Sequence, residues 1–214
     1  MSDFTSSKTP TAFPRLAFVR HAETFANVRR VWHGQTDTAL TPRGQEQAAY
    51  LGKSFHQFMQ PDIIIASPLQ RTRHTAQAIA DQHQLPVQLD PRLMEFHLGD
   101  WEDTSFDDLQ EKMGVAARLK DEPDFTPPNG DSQNSVRQRM VEAIEDILQQ
   151  YAGANVVVVS HGVAIAIALA HYLHSDTTQW LNYSMNNTGI SELCLRSKSL
   201  PVFNHTEHLQ CLED

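Results

Sequence analysis

The chain has 214 residues, a formal net charge of −9 and 40% hydrophobic residues, with a mass of 24.2 kDa and a pI near 5.6. That length suits one domain with a sizeable core, and the acidic balance argues against a surface built for nucleic acid or an anionic membrane. With only Cys194 and Cys211 for thiols, and no stretch near the roughly 20 apolar residues of a membrane span, a single cytoplasmic domain over 1–214 without a disulfide framework is expected.

Met1 to Pro14 is polar, Ser/Thr-rich and without an apolar signal region, and is read as flexible. Arg15 to Val19 is the first strand. Thr41-Pro42-Arg43-Gly44 opens a helix to about Met59, with Ala48, Leu51, Phe55 and Phe58 on one stripe. Asp62 to Ala66 is a second buried strand, a helix follows from about Leu69 to His83, and Pro86 to Leu89 is a third, shorter strand. From Trp101 to Asn134 the chain turns acidic and loop-rich, with one helix near Phe106 to Met113, and is read as a lid insertion. Ser132 or Ser135 caps a helix to about Tyr151 whose core stripe is Val136, Met140, Ile144 and Leu148. Val156 to Ser160 is the central strand, Val163 to Leu173 an apolar helix behind it, and Ile190 to Leu195 and Leu200 to Phe203 are closing strands, the last antiparallel at an edge. Strands alternating with helical patterns predict an α/β fold with a mostly parallel sheet.

Three short segments lie directly beyond the carboxyl ends of buried strands: Arg20-His21, Ser67-Pro68-Leu69-Gln70-Arg71 and His161-Gly162. Those ends share one rim in open α/β sheets, and ligands bind there. Glu95 follows the third strand onto the same rim. Guanidinium groups grip phosphate oxygens, and a neutral imidazole can attack phosphorus. Two Arg, two His and one Glu together fit phosphoryl transfer through a phosphohistidine, with the acid protonating the departing oxygen. Gly162 at a helix start adds backbone N–H groups for an oxyanion. The inventory calls for no metal and no cofactor.

With these pieces in place the sequence resembles the histidine phosphatase superfamily, also called phosphoglycerate mutase-like. The resemblance is carried in order by Arg20-His21-Ala22-Glu23-Thr24, Asn27, His33-Gly34, Leu40-Thr41-Pro42-Arg43-Gly44, Ser67 to Thr72, Glu95 with Gly99 and Trp101-Glu102, and Ser160-His161-Gly162. It implies a three-layer α/β/α sandwich with a short insertion over the site. It implies His21 as phosphate acceptor, Glu95 as proton donor, and Arg20, Arg71 and His161 as the phosphate pocket. Asn27 would be a further phosphate donor, and His33 and Gly34 would line the substrate side. Ala22 and Asp103 stand where the family usually has glycine, and Asp131 replaces a commoner glutamate; none of these removes a reacting group.

The related mutases usually carry a longer, basic, tyrosine-containing insertion, whereas 101–134 is acidic and has only Lys112, Arg118 and Lys120 as basic residues. A phosphatase acting on a small phosphorylated metabolite is therefore favoured over a mutase, and over a non-catalytic phosphate-binding module that would have no use for the full set of groups. A homodimer would fit the family habit, though no apolar stripe demands one. His205-Thr206-Glu207-His208 could clip a metal if helical, but a solvated tail is the better reading. His97 could reach the pocket wall, Arg29 and Arg30 are read as solvated loop charges, and Trp32, Phe96, Trp101 and Trp180 as packing residues.

Overall fold

A computed structural model describes residues 14–115, 118 and 121–212. In chain order the strands are β1 (Leu16–Arg20), β2 (Val31–Trp32), β3 (Ile63–Ala66), β4 (Val87–Leu89), β5 (Thr104–Ser105), β6 (Val156–Ser160), β7 (Ile190–Cys194) and β8 (Ser199–His205). The α-helices are α1 (Phe25–Arg29), α2 (Pro42–Phe58), α3 (Gln70–His83), α4 (Phe106–Met113), α5 (Gln133–Gln150) and α6 (Gly162–His174). The Ser/Thr-rich start up to residue 13 and Lys120 lie outside the described residues.

Six strands form the main sheet in the order β4-β3-β6-β1-β7-β8. β4, β3, β6 and β1 run parallel, β7 is antiparallel to β1, and β8 is antiparallel to β7 at the edge. The sequence expectation of a mostly parallel sheet with an antiparallel edge therefore holds. Alternation along the strands feeds two cores. Leu16, Phe18, Val156 and Val158 point to the face covered by α5 and α6; Ala17, Val19, Val157 and Val159 point to the face covered by α2 and α3. A strand buried on both faces reads as an unbroken apolar run, which is why Val156 to Val159 stood out. Helix α6 is apolar all round for the same reason, with Ala164 to Ala170 all buried.

Caps end the helices where the polar residues predict. Thr41 Oγ1 accepts from the Gly44 N–H at the start of α2, and Ser132 and Ser135 form a reciprocal capping box at the start of α5. The sequence reading missed α1 and the two-residue pair β2–β5. Helix α1 rests on a second capping box, Thr24 with Asn27, and β2–β5 ties the loop after it to the 101–134 segment.

One expectation is revised. The C-terminal end is not a solvated tail, because Glu207–Leu212 forms a 3₁₀ turn and His208 Nε2 lies 2.9 Å from Thr188 Oγ1. The 101–134 segment sends Leu109 and Val115 into the core beside α5, and the Phe125 ring lies 5.8 Å from Trp101.

Gly44 sits where α2 meets the turn after β1. A Cβ there would lie 2.0 Å from the Glu23 carbonyl oxygen, a backbone atom fixed by the Thr41 N–H at 3.0 Å. Gly44→Ala should therefore destabilise the protein by about 1–3 kcal/mol through overpacking, read as a lower urea midpoint with unchanged slope.

Candidate active site

The register of the sheet assembles the site. β1 pairs with β6 so that Arg20 lies opposite Ser160, and β3 pairs with β6 so that Ala66 lies opposite Val159. His21, Ser67 and His161 are each the first or second residue past these partners, so three chain segments distant in sequence open onto one rim. The imidazole centroids of His21 and His161 are 5.4 Å apart. A cavity of about 240 Å³ at this rim is walled on one side by Arg20, His21, Arg71, Glu95 and Gly162, and reaches Asn27, His33 and Gly34.

His21 is buried, and its Nδ1–H donates to the Ala22 carbonyl at 2.8 Å. A carbonyl only accepts, so the neutral ring carries its proton on Nδ1 and leaves the Nε2 lone pair unused. Burial, then the charges of Arg71 and Arg20, hold this imidazole well below the ordinary histidine range, outweighing the Ala22 bond. The loop is fixed from behind by the Ala22 N–H to Thr75 Oγ1 at 3.0 Å, and the Ala22 methyl fills a small cluster with Leu40 and Ala48.

Arg71 is 3% exposed, yet its three recorded acceptors are all uncharged. Nη1 donates to the Thr36 carbonyl at 3.0 Å, Nη2 to the Gly34 carbonyl at 2.7 Å, and Nε to His161 Nδ1 at 3.2 Å. Arg20 donates through Nη1 to the Met185 carbonyl, while its buried Nε has no partner. Burial lowers both guanidinium pKa values and the charge of Glu95 opposes this, but a guanidinium stays protonated. Among the described residues neither Arg20 nor Arg71 forms an ion pair.

His161 stands behind Arg71 rather than on the cavity wall. Since Nδ1 accepts from the guanidinium, Nε2 must carry the proton, and it donates to Ser67 Oγ at 2.8 Å. Burial, followed by Arg71, His21, Arg139 and Arg20, holds this ring too well below the ordinary range. Glu95 is 7% exposed. Its Oε1 accepts from the N–H groups of Phe96 and Ala164, each at 2.9 Å, and Oε2 from that of Val163 at 3.2 Å. The first turn of α6 thus holds a carboxylate through Val163 and Ala164, whereas the sequence reading looked to the helix start at His161-Gly162 for N–H groups facing an oxyanion. At Gly162 a Cβ would lie 3.4 Å from Arg20 Nε, so glycine leaves that guanidinium its room.

The remaining residues named from sequence are accounted for as follows. Asn27 Oδ1 accepts from the Thr24 N–H and Asn187 Nδ2 at 3.0 and 3.2 Å, leaving its own amide N–H groups to the cavity it lines. His33 Nε2 is 3.3 Å from Asp103 Oδ1, and Asp103 adopts the positive φ of 62° that the glycine it replaces would suit. His97 is 3.6 Å from Glu102 and does not line the cavity; Arg29 and Arg30 are exposed. Among the described residues no group of three or more His, Cys, Asp or Glu is placed to hold a metal ion.

Sequence reasoning missed several supports. Glu102 accepts from the N–H groups of Gln35 and Thr36 at 2.7 and 2.8 Å and so holds the loop that presents Gly34 to Arg71. Arg139, on α5, donates to the carbonyls of Arg92, Met94 and Glu95 and to Asp131. Trp180, Leu181, Ser184 and Met185 line the cavity, whereas no described residue of 102–134 does. An arginine on a helix, or a tryptophan in an irregular turn, carries no local signal of such a role.

Residues 16–205 match the histidine phosphatase superfamily (branch 1). The chain belongs to that superfamily. It is 34% identical over 202 residues to the adenosylcobalamin/alpha-ribazole phosphatase of Escherichia coli, covering 89% of this chain and 99% of that one. It is 33% identical over 177 residues to a probable phosphoglycerate mutase of Erwinia tasmaniensis, covering 82% of each. Among solved structures, a phosphoserine phosphatase from Entamoeba histolytica bound to 3-phosphoglyceric acid superposes with a TM-score of 0.83 at 30% identity, covering 92% of this chain and 100% of that one. A superfamily member with these relatives is a phosphatase-type hydrolase.

The two ring assignments give opposite tautomers for His21 and His161. Long-range ¹H–¹⁵N spectra should show His21 protonated on Nδ1 and His161 on Nε2, both neutral below pH 6.5. Because each ring is uncharged when folded but protonates in the unfolded chain below about pH 6.5, unfolding takes up protons there. Stability is therefore full above that pH and falls as the pH drops toward the native pKa values, by about 1.4 kcal/mol per pH unit for each ring. Replacing His161 by Gln should reduce that slope in pH-dependent urea unfolding.

Proposed function

We propose that the protein hydrolyses small phosphomonoesters through a covalent phosphohistidine on His21. The observation that carries this reading is the pair of guanidinium groups of half-buried Arg20 and buried Arg71, which have only neutral hydrogen-bond acceptors and lie beside an imidazole with a free Nε2. Two cations without an ion-pair partner at one rim are an anion site, and a neutral imidazole beside them is a nucleophile.

In the first step the His21 Nε2 lone pair attacks phosphorus, the N–P bond forms, and the bond to the ester oxygen breaks. Arg20, Arg71 and the Asn27 amide hold the equatorial oxygens. Glu95 gives a proton to the departing alcohol. In the second step Glu95 takes a proton from water, the resulting hydroxide attacks phosphorus, and the N–P bond breaks to return His21 and release phosphate. Of the two carboxylate oxygens, Oε2 has the single, longer N–H contact, and it is the one with room for the travelling proton. His161 does not touch the substrate in this scheme. It orients Arg71, and Ser67 orients His161.

The mutase reading rests on relatives named as probable phosphoglycerate mutases. It requires the phosphoryl group to return to a bound, carboxylated alcohol, and the cavity lines no cation beyond Arg20, Arg71 and the imidazoles for that carboxylate.

With excess chelator present, the wild type should release phosphate from a panel of phosphomonoesters, and His21→Ala should lose at least about a thousandfold in kcat/KM. Wild type quenched in alkaline detergent should carry acid-labile, alkali-stable phosphate that His21→Ala lacks. Glu95→Gln should cost about 10²–10⁴-fold with alkyl phosphates, the usual worth of a general acid. It should cost less with aryl phosphates, whose leaving groups need less help; an equal loss across both would remove Glu95 from the acid role.

A further inference from the structure

Beyond the phosphate end, the cavity changes character. Its other lining comes from β2 and from the 3₁₀ turn Thr177–Tyr183, and it presents Val31, Trp32, Trp180 and Leu181. Leu181 is 48% exposed at this cavity. Helix α1, which brings Ala26 and Asn27 to the same cavity, leaves Phe25 48% and Val28 60% exposed. The ionisable groups that line the cavity are Arg20, His21, His33, Arg71 and Glu95. The first two, Arg71 and Glu95 are committed to the transferring group. His33 faces Asp103 at 3.3 Å, with Glu102 also nearby, and burial holds its pKa below the ordinary range. The nearest further cation, Arg29, is exposed, and its Nε is bound to the Phe25 carbonyl.

We infer that this lining is the leaving-group subsite and that it selects phosphomonoesters of uncharged alcohols bearing an apolar or aromatic group. It discriminates against alcohols that carry a carboxylate. A carboxylate there would give up water against the surface of Val31, Trp32, Trp180 and Leu181, and among the described residues no cation beyond Arg20, Arg71 and the imidazoles lines the cavity to receive it. Desolvating an ion without a partner costs more than the subsite can return. An aromatic ring, by contrast, gives up water at no penalty and gains contact area. The cavity of about 240 Å³ lies below the ~300–1,000 Å³ of sites for drug-sized ligands, which suits a small alcohol. This inference rests on the proposed seating of the phosphoryl group between Arg20 and Arg71.

The test separates binding from turnover by using unreactive phosphonates. Calorimetry of the wild type should rank benzylphosphonate about tenfold or more tighter than methylphosphonate, and tighter by a similar factor than 4-carboxybenzylphosphonate. Trp180→Ala should collapse the benzyl-to-methyl ratio while methylphosphonate affinity reports an intact phosphate end. The second variant, Leu181→Arg, adds a cation at an exposed position and should raise the affinity for the carboxylated ligand relative to benzylphosphonate. Methylphosphonate binding as tightly as benzylphosphonate, or the carboxylated ligand binding as tightly as the neutral one, overturns the inference. Loss of turnover on the matching phosphate esters with these affinity ratios intact would strike the catalytic reading and leave the subsite standing.

Discussion

Everything at the rim depends on how buried Arg71 and half-buried Arg20 are held without carboxylates. Burying a charge is costly, and proteins ordinarily offset the cost with an opposite charge. Here the compensation is dipolar: Arg71 spends three of its N–H bonds on two carbonyls and one imidazole nitrogen, and Arg20 donates to the Met185 carbonyl. Neutral acceptors satisfy hydrogen bonds without cancelling charge, so the site keeps a positive potential for a phosphate to meet. A carboxylate in ion-pair contact with either guanidinium would stabilise the empty protein and weaken the site. Glu95 is close enough to act on both arginines through space, yet it is bound instead by three backbone N–H groups.

That solution places demands on the surrounding loops. The carbonyls of Gly34 and Thr36 must be aimed at Arg71, and Glu102 does this by gathering the N–H groups of Gln35 and Thr36. Gly34 has a positive φ of 50°, and a Cβ there would lie 2.2 Å from Glu102 Oε1, so the loop closes on Glu102 only with glycine. On the other side Arg139 gathers the carbonyls of Met94 and Glu95, which sets the backbone from which the Glu95 side chain reaches α6. Arg71 and Glu95 are therefore each held by a charged residue one layer further out, Glu102 and Arg139, whose own charge is met by backbone dipoles or Asp131.

The legibility of this design in the sequence follows its physics. Val156 to Ser160 and the residues that end β1 and β3 could be read because a strand buried on both faces leaves a continuous apolar run, and the first polar residues after it mark the rim. Arg20, His21, Arg71, Glu95 and His161 are therefore readable from the sequence as neighbours on one rim. β2 and β5 could not be read, since two residues carry no periodicity. Arg139 could not be distinguished from the other polar residues of α5, because its partners lie more than forty residues away. Trp180 and Trp32 look like packing residues, and in part they are, each lying against the α5–α6 core while also facing the cavity. In 101–134 the acidic, loop-rich composition hides an apolar minority, Leu109 and Val115, that fastens the segment into the core.

The assignment of the α6 N-terminus carries the same lesson into mechanism. A helix start beside a phosphate site invites the reading that the dipole binds the anion. Here the Val163 and Ala164 N–H groups are taken by Glu95, so these two act on the anion through the carboxylate they orient. The position of Glu95 is then fixed relative to β6, because α6 follows that strand after His161, while the position of His21 is fixed relative to β1. The two meet at a constant separation because β1 and β6 are hydrogen-bonded neighbours in register from Leu16 and Val156 to Arg20 and Ser160. Nucleophile and acid are thus held together by the most buried pairing in the sheet, which leaves the apolar lining free to vary without disturbing either.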